Sequence, residues 1–167
     1  PHRARNPMGY VPCLQIDSDV FVESVAIVEL LDELFPAPPL YPKDPKDRAR
    51  VRALVEIVNS GTQPLQNMSV LRHHSQDAAV QREWSRHFIR KGLIAFEGMM
   101  AMNAARGVTG PFAYGSVFTA ADAFLVPQMY NARRFELDVA DFPNAAKAAD
   151  HTLALPFVAA AAPEVQP

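Results

Sequence analysis

The sequence predicts an α+β chain in which a small hairpin-and-helix piece is joined by a stiff proline connector to an all-helical domain. Three observations carry this. From Cys13 to Val22 two short apolar runs flank the polar triplet Asp17-Ser18-Asp19, whose side chains can bond their own backbone, the pattern of a β-hairpin. Residues 36–45, PAPPLYPKDP, hold five prolines in ten positions, which makes an extended spacer and the best candidate for a domain boundary. Beyond it the apolar residues recur at helical spacing. The 15 prolines against 7 glycines agree, since they favour helices separated by stiff connectors over a glycine-turned sandwich.

Residues 1–6 read as irregular. Cys13–Ile16 and Val20–Val22 are the expected strands. Ser24 opens a helix with Val25, Ile27, Val28, Leu30, Leu31 and Leu34 apolar and Glu29, Asp32 and Glu33 polar; Pro36 ends it. Asp44 is an N-cap followed by Pro45 at the first helical position, and Asp47 adds favourable charge in the first turn. Val51, Leu54, Val55 and Val58 then form one buried stripe. Gly61 and Pro64 break the pattern across residues 60–64. A long helix follows from Asp77 to Asn103, with Ile89, Leu93, Phe96 and Met100 on one face. Its Arg82, Arg86, Arg90 and Lys91 read as solvated charge. Residues 107–116 form a loop. Thr119 and Asp122 make a capping-box start to a helix that Pro127 should bend. A last helix is expected from Asn144 to Leu155, followed by coil. The division is therefore 1–36, a connector at 37–44, and a helical domain at 45–167.

The totals exclude several functions. A formal net charge of −2 offers no basic surface for nucleic acid. No apolar run nears the roughly 20 residues that span a bilayer. One cysteine, Cys13, permits no disulfide within the chain and reads as a buried structural thiol. His73 and His74 are adjacent, so on a helix they diverge by about 100° and make a poor metal pair. Isolated His87 and His151 read as solvated or capping residues, and Met99, Met100 and Met102 as core filler; no metal site is expected.

Several stretches resemble the glutathione transferase superfamily, and within it the zeta class, which includes maleylacetoacetate isomerase. NPMGYVPCLQID is similar to the family's N-P-x-G-x-V-P-x-L run, and ESVAIVELLDELFP to its Ser-x-Ala-Ile helix. PPLYPKDPKDRARVR resembles its linker and the next helix. GTQPLQNMSVL and LVPQMYNARRF point to the zeta class. The resemblance covers nearly the whole chain. It implies the C-terminal part of a thioredoxin-like α/β domain followed by the all-α glutathione-transferase C-terminal domain.

The resemblance also implies roles. Val11, before a cis proline, offers its backbone to the cysteinyl part of glutathione. Ser24 caps a helix N-terminus whose free N–H groups suit the γ-glutamyl carboxylate, and Glu23 beside it takes the ammonium group. The residue-level reading of Ser24 as an ordinary N-cap stands alongside, because a cap and an anion site use the same groups. Gln63 and Asn67 lie one helical turn apart and can share a face; the resemblance gives them the rest of the glutathione site, with Ser69 beside them. By itself Arg134 reads as a cation at a helix C-terminus; the resemblance gives it the substrate carboxylate, which a guanidinium fork suits. The implied reaction is glutathione-dependent cis–trans isomerisation of maleylacetoacetate to fumarylacetoacetate in aromatic amino-acid breakdown, by a cytosolic homodimer. Maleylpyruvate isomerisation and a non-catalytic interaction module remain as alternatives. The family's Ser-Ser-Cys-x-x-x-Arg turn, whose serine stabilises the thiolate, has no counterpart here. The sequence therefore reads as a partial chain with no visible catalytic residue.

Overall fold

The computed structural model describes residues 2–165 and resolves them into two compact units, Pro1–Tyr41 and Pro42–Pro167, that meet in sequence inside the proline stretch.

The first unit begins with a short helix, α1 (His2–Arg5), where irregular chain was expected. It leads into strands β1 (Cys13–Ile16) and β2 (Asp19–Val22), which pair antiparallel with Cys13 opposite Val22 and Ile16 opposite Asp19. The second strand starts one residue earlier than expected, because the turn closes on two residues. Asp17 takes the first of these at φ 52°, the left-handed conformation that short hairpin turns require. Helix α2 (Ser24–Leu34) follows. Its buried Asp32 accepts a hydrogen bond from the Leu40 N–H at 2.6 Å, which ties the helix to the proline stretch. Cys13 is half-buried rather than fully buried.

The second unit is helical. Helix α3 (Pro45–Asn59) is capped by Asp44, whose carboxylate accepts from the N–H groups of Lys46 and Asp47. Val51, Leu54, Val55 and Val58 are all buried, as the stripe predicts. The expected break is a 3-10 turn at Gln63–Gln66 that leads into α4 (Met68–His74). Helix α5 (Ala78–Ala104) starts from an Asp77 cap and buries Ile89, Leu93 and Phe96. Helix α6 (Ala120–Arg134) packs on α3 and on α7 (Pro143–Leu153). The tail adds α8 (Pro156–Ala159) and a 3-10 turn at Pro163–Val165, where coil was expected. Met102 is half exposed, so it is not core filler.

Two features hold this bundle in register. The α6 start is the predicted capping box. Asp122 accepts from the Thr119 N–H at 2.9 Å and the Thr119 hydroxyl at 3.0 Å, and its other oxygen accepts from the Ala113 N–H at 2.7 Å. Asp122 is fully buried, and that burial raises its pKa against the pull of these donors. The arginines of α5 are the second feature, and they correct the solvated-face reading. Arg86 donates to the carbonyls of Phe135 (2.6 Å) and Glu136 (2.9 Å), Arg82 pairs with Glu136, and Arg90 pairs with Asp141. Spaced four apart, they form one row that fastens the segment leaving α6. Glu136, with φ 58°, is where that segment turns.

Candidate functional site

In the first unit, the hairpin register brings the candidate residues to one end. Since Cys13 faces Val22, Val11 and Pro12 precede one strand where Glu23 and Ser24 follow the other. The Val11–Pro12 peptide is cis and Val11 is 83% exposed. The turn before it is organised by Asn6. Its buried side chain donates to the Tyr10 carbonyl at 2.8 Å and accepts from the Met8 N–H at 3.1 Å. His2 also donates to the Tyr10 carbonyl, and Gly9 supplies the positive φ the turn needs. Asn6 carries no role in the sequence reading, although Asn-Pro is a recognised turn opener.

Ser24 is not the N-cap. The cap position is Glu23, whose carbonyl accepts the first helical hydrogen bond from the Ile27 N–H at 3.0 Å, and Ser24 is the first helical residue. Glu23 has φ 71° and ψ 122°, a conformation that side-chain-bearing residues rarely adopt. Such strain persists where the surroundings enforce it, and it concentrates at binding sites. Its consequence is geometric. The chain turns sharply into α2, leaving the first-turn N–H groups, with their partial positive charge, beside a carboxylate. A site of that kind matches an amino-acid zwitterion: N–H groups for the carboxylate, Glu23 for the ammonium group.

In the second unit, Gln63 and Asn67 do not share one α-helix. Gln63 starts the 3-10 turn, and Asn67 ends it in an extended conformation while capping α4. Proline at position 64 suits a helical first turn, and an asparagine at 67 that caps a new helix stops the old one. The Asn67 side-chain oxygen accepts from the N–H and hydroxyl of Ser69, both at 3.0 Å, so its amide N–H₂ is the group left to meet a ligand. Ser69 therefore acts through Asn67. Gln63 is exposed.

Arg134 is the last residue of α6 and is exposed. Its neighbour Arg133 is bound to Asp150 at 2.5 Å, whereas Arg134 enters no ion pair among the described residues. That difference separates a structural cation from an available one. One turn back, the Tyr130 hydroxyl is raised in pKa chiefly by its hydrogen bond with Glu164, an effect the Arg134 charge opposes.

Two other arrangements hold the site without touching it, and both escaped the sequence reading. Trp84 donates its indole N–H to the Leu65 carbonyl at 2.8 Å, and Gln66 donates to Gln128 of α6 at 2.7 Å. Their signal lay in the motifs QPLQN and VPQ, which mark the class without saying that they touch. Among the described residues no group of side chains is arranged to hold a metal ion, and no helix is long and apolar enough to cross a membrane.

The family model for the glutathione S-transferase N-terminal domain matches residues 1–39. The probable maleylacetoacetate isomerase 2 of Drosophila melanogaster is 41% identical over 166 residues, covering 99% of this chain and 70% of that protein. The chain belongs to the glutathione transferase superfamily, in its zeta class. The solved structures agree. Maleylacetoacetate isomerase from Anaeromyxobacter dehalogenans 2CP-1, with bound glutathione, is 46% identical with a TM-score of 0.87 over 99% of this chain and 77% of that one. A maleyl pyruvate isomerase described as a bacterial zeta-class glutathione transferase is 35% identical with a TM-score of 0.92 over 99% and 78%. The chain spans only 65% of the length of a second fly isomerase, so its relatives contain sequence that this chain does not match. The fold class expected from the sequence, a thioredoxin-like remnant followed by the family's helical domain, is the one these relatives share.

Proposed function

We propose that the chain is part of a glutathione-dependent maleylacetoacetate isomerase, acting in the cytosol as a homodimer. The observation that carries the reading is the Glu23–Ser24 corner: a strained residue that sets a carboxylate beside a helix N-terminus, at the same hairpin end as Val11. The family membership and the glutathione-bound relative support it.

The donor set fits glutathione. Val11 presents extended backbone for the cysteinyl peptide. The first-turn N–H groups at Ser24 hold the γ-glutamyl carboxylate, and Glu23 accepts from its ammonium group. In the helical unit, Gln63 and the amide N–H₂ of Asn67 supply neutral donors to the same ligand. Arg134 holds a carboxylate of the substrate by paired hydrogen bonds and so fixes the alkene for reaction. Glutathione, when bound, supplies a thiolate that adds reversibly to the cis double bond, so that the bond can rotate before the thiolate leaves. The chain's residues then need only bind, orient and balance charge. We assign the thiol-activating role to none of the described residues.

Glutathione-dependent turnover of maleylacetoacetate tests the reading, with maleylpyruvate measured alongside to separate the two acids. Arg134→Ala should raise KM for the acid about 10- to 100-fold, the value of a lost charge-assisted pair of hydrogen bonds. Turnover that needs no glutathione, or an unchanged KM in Arg134→Ala, would sink it.

A further inference from the structure

The residues that hold the 62–67 turn are more elaborate than a loop needs. Thr62 is buried, with its hydroxyl donating to the Ile57 carbonyl at 2.7 Å. A Cβ on Gly92 of α5 would lie 2.0 Å from that hydroxyl oxygen, so only glycine fits there. Leu65 is held through its carbonyl by the Trp84 indole, and Gln66 through its side chain by Gln128. Asn67 is held by the α4 cap it makes. The turn is thus fastened at four positions, by three helices besides α4, and the one residue left projecting into solvent is Gln63.

Gln128 is the telling member. It sits on the buried face of α6 at 2% exposure. Its oxygen is used, but its Nε2 and the Gln66 Oε1 are buried without a partner. Burying half an amide unpaired is unfavourable, and a methionine would fill the same space without that cost. Natural sequences break such packing rules where function requires it. Here the return is a polar link of defined length between α6 and a turn 62 residues away in sequence.

We infer that Gln128, together with Trp84, is a positioning residue for glutathione. The pair fixes the 3-10 turn so that Gln63 and the Asn67 amide are presented without a further ordering step on binding. The inference rests on the reading of Gln63 and Asn67 as glutathione ligands, and it concerns affinity rather than chemistry.

Calorimetric titration with glutathione tests it on Gln128→Met, Gln66→Met and the double variant. Each single change should raise the glutathione Kd roughly three- to tenfold, the value of one hydrogen bond. The double variant should lose no more than either single one, because both remove the same link. Trp84→Phe keeps the aromatic stack with Phe88 and removes only the N–H, so it should weaken binding by a similar factor even if the Gln128 variants fold poorly. A purely structural role would lower the melting temperature and leave the Kd of the folded protein unchanged. Unchanged affinity in these variants overturns the inference alone if Gln63→Ala still weakens binding. It overturns the inference together with the glutathione reading if Gln63→Ala has no effect.

Discussion

Replacing Asp122 by asparagine isolates what the buried carboxylate does. One of its oxygens accepts from Ala113 N–H, and the other from Thr119 N–H and hydroxyl. Asparagine has one acceptor oxygen and an N–H₂ group. Whichever way it is turned, one buried backbone N–H meets another donor. Directing the N–H₂ toward Thr119 is the cheaper choice, since the hydroxyl can rotate to accept, but the Thr119 N–H is then orphaned. The loss of charge adds little, because burial already raises the Asp122 pKa and the site does not favour the ionised form overall. One orphaned donor costs about 2 kcal/mol, which in a chain of this size lowers the melting temperature by about 4–8 °C. Asp122→Ala strands both backbone donors and should cost about twice as much, near 4 kcal/mol. Thermal and urea unfolding of the two variants would check the order. A loss in Asp122→Asn equal to that in Asp122→Ala would refute the reasoning, since it would mean that the charge and not the count of acceptors is what matters.

The same residue fixes the sign of a pH effect. Its folded pKa lies above the ordinary value of 3.8, so the folded state binds more protons over that interval. Its contribution is therefore complete below about 3.8 and declines as pH rises through the folded value. The stability gap between the wild type and Asp122→Asn should narrow on going from acid toward neutral pH. A gap that widens would show that the donors outweigh burial.

Other substitutions probe the remaining supports. Gly92→Ala forces a Cβ against the buried Thr62 and should cost about 1–3 kcal/mol in urea unfolding, with Thr62→Ala in the same chain recovering part of the loss. Arg86→Ala leaves two carbonyls after α6 without their guanidinium and should cost about 1–2 kcal/mol, whereas Arg82→Ala breaks one exposed pair and should stay under about 1 kcal/mol. Tyr114→Phe removes the hydroxyl that, ahead of Arg50, holds the Asp47 carboxyl below its usual range. Because that pKa is depressed, the stabilisation is present above the ordinary value and lost as pH falls through the folded one. The difference between Tyr114→Phe and the wild type should then be constant near neutral pH and close in acid.

Elements set by local rules were legible in the sequence. The Asp44–Pro45 start, the Thr119–Asp122 box and the Val51–Val58 stripe each depend on residues within two turns of one another, and each lies where the pattern puts it. The Gln63–Asn67 geometry was misjudged for the same reason in reverse. Spacing by four implies a common face only if the helix runs on, and here an asparagine cap ends one element and starts another. Glu23 and Ser24 exchanged places because both residues can stand at a cap. What decides between them is φ at Glu23, which the surrounding hairpin imposes and no propensity records.

The α5 arginines show where sequence reading stops on physical grounds. A cation every four residues on a long helix is the ordinary mark of a solvated face, and Lys91 beside them is indeed exposed. Yet Arg82, Arg86 and Arg90 find their partners at residues 135–141, about fifty positions on, in a segment whose carbonyls are free because α6 has just ended. A helix terminus creates acceptors wherever it falls, and the row of arginines takes them up only because α5 and α6 pack side by side. The pattern in the sequence is the same whether or not such a terminus lies opposite. The cations that hold Arg134's end of α6 therefore become visible only once the two helices are in place, while Arg134 itself could be found from its motif.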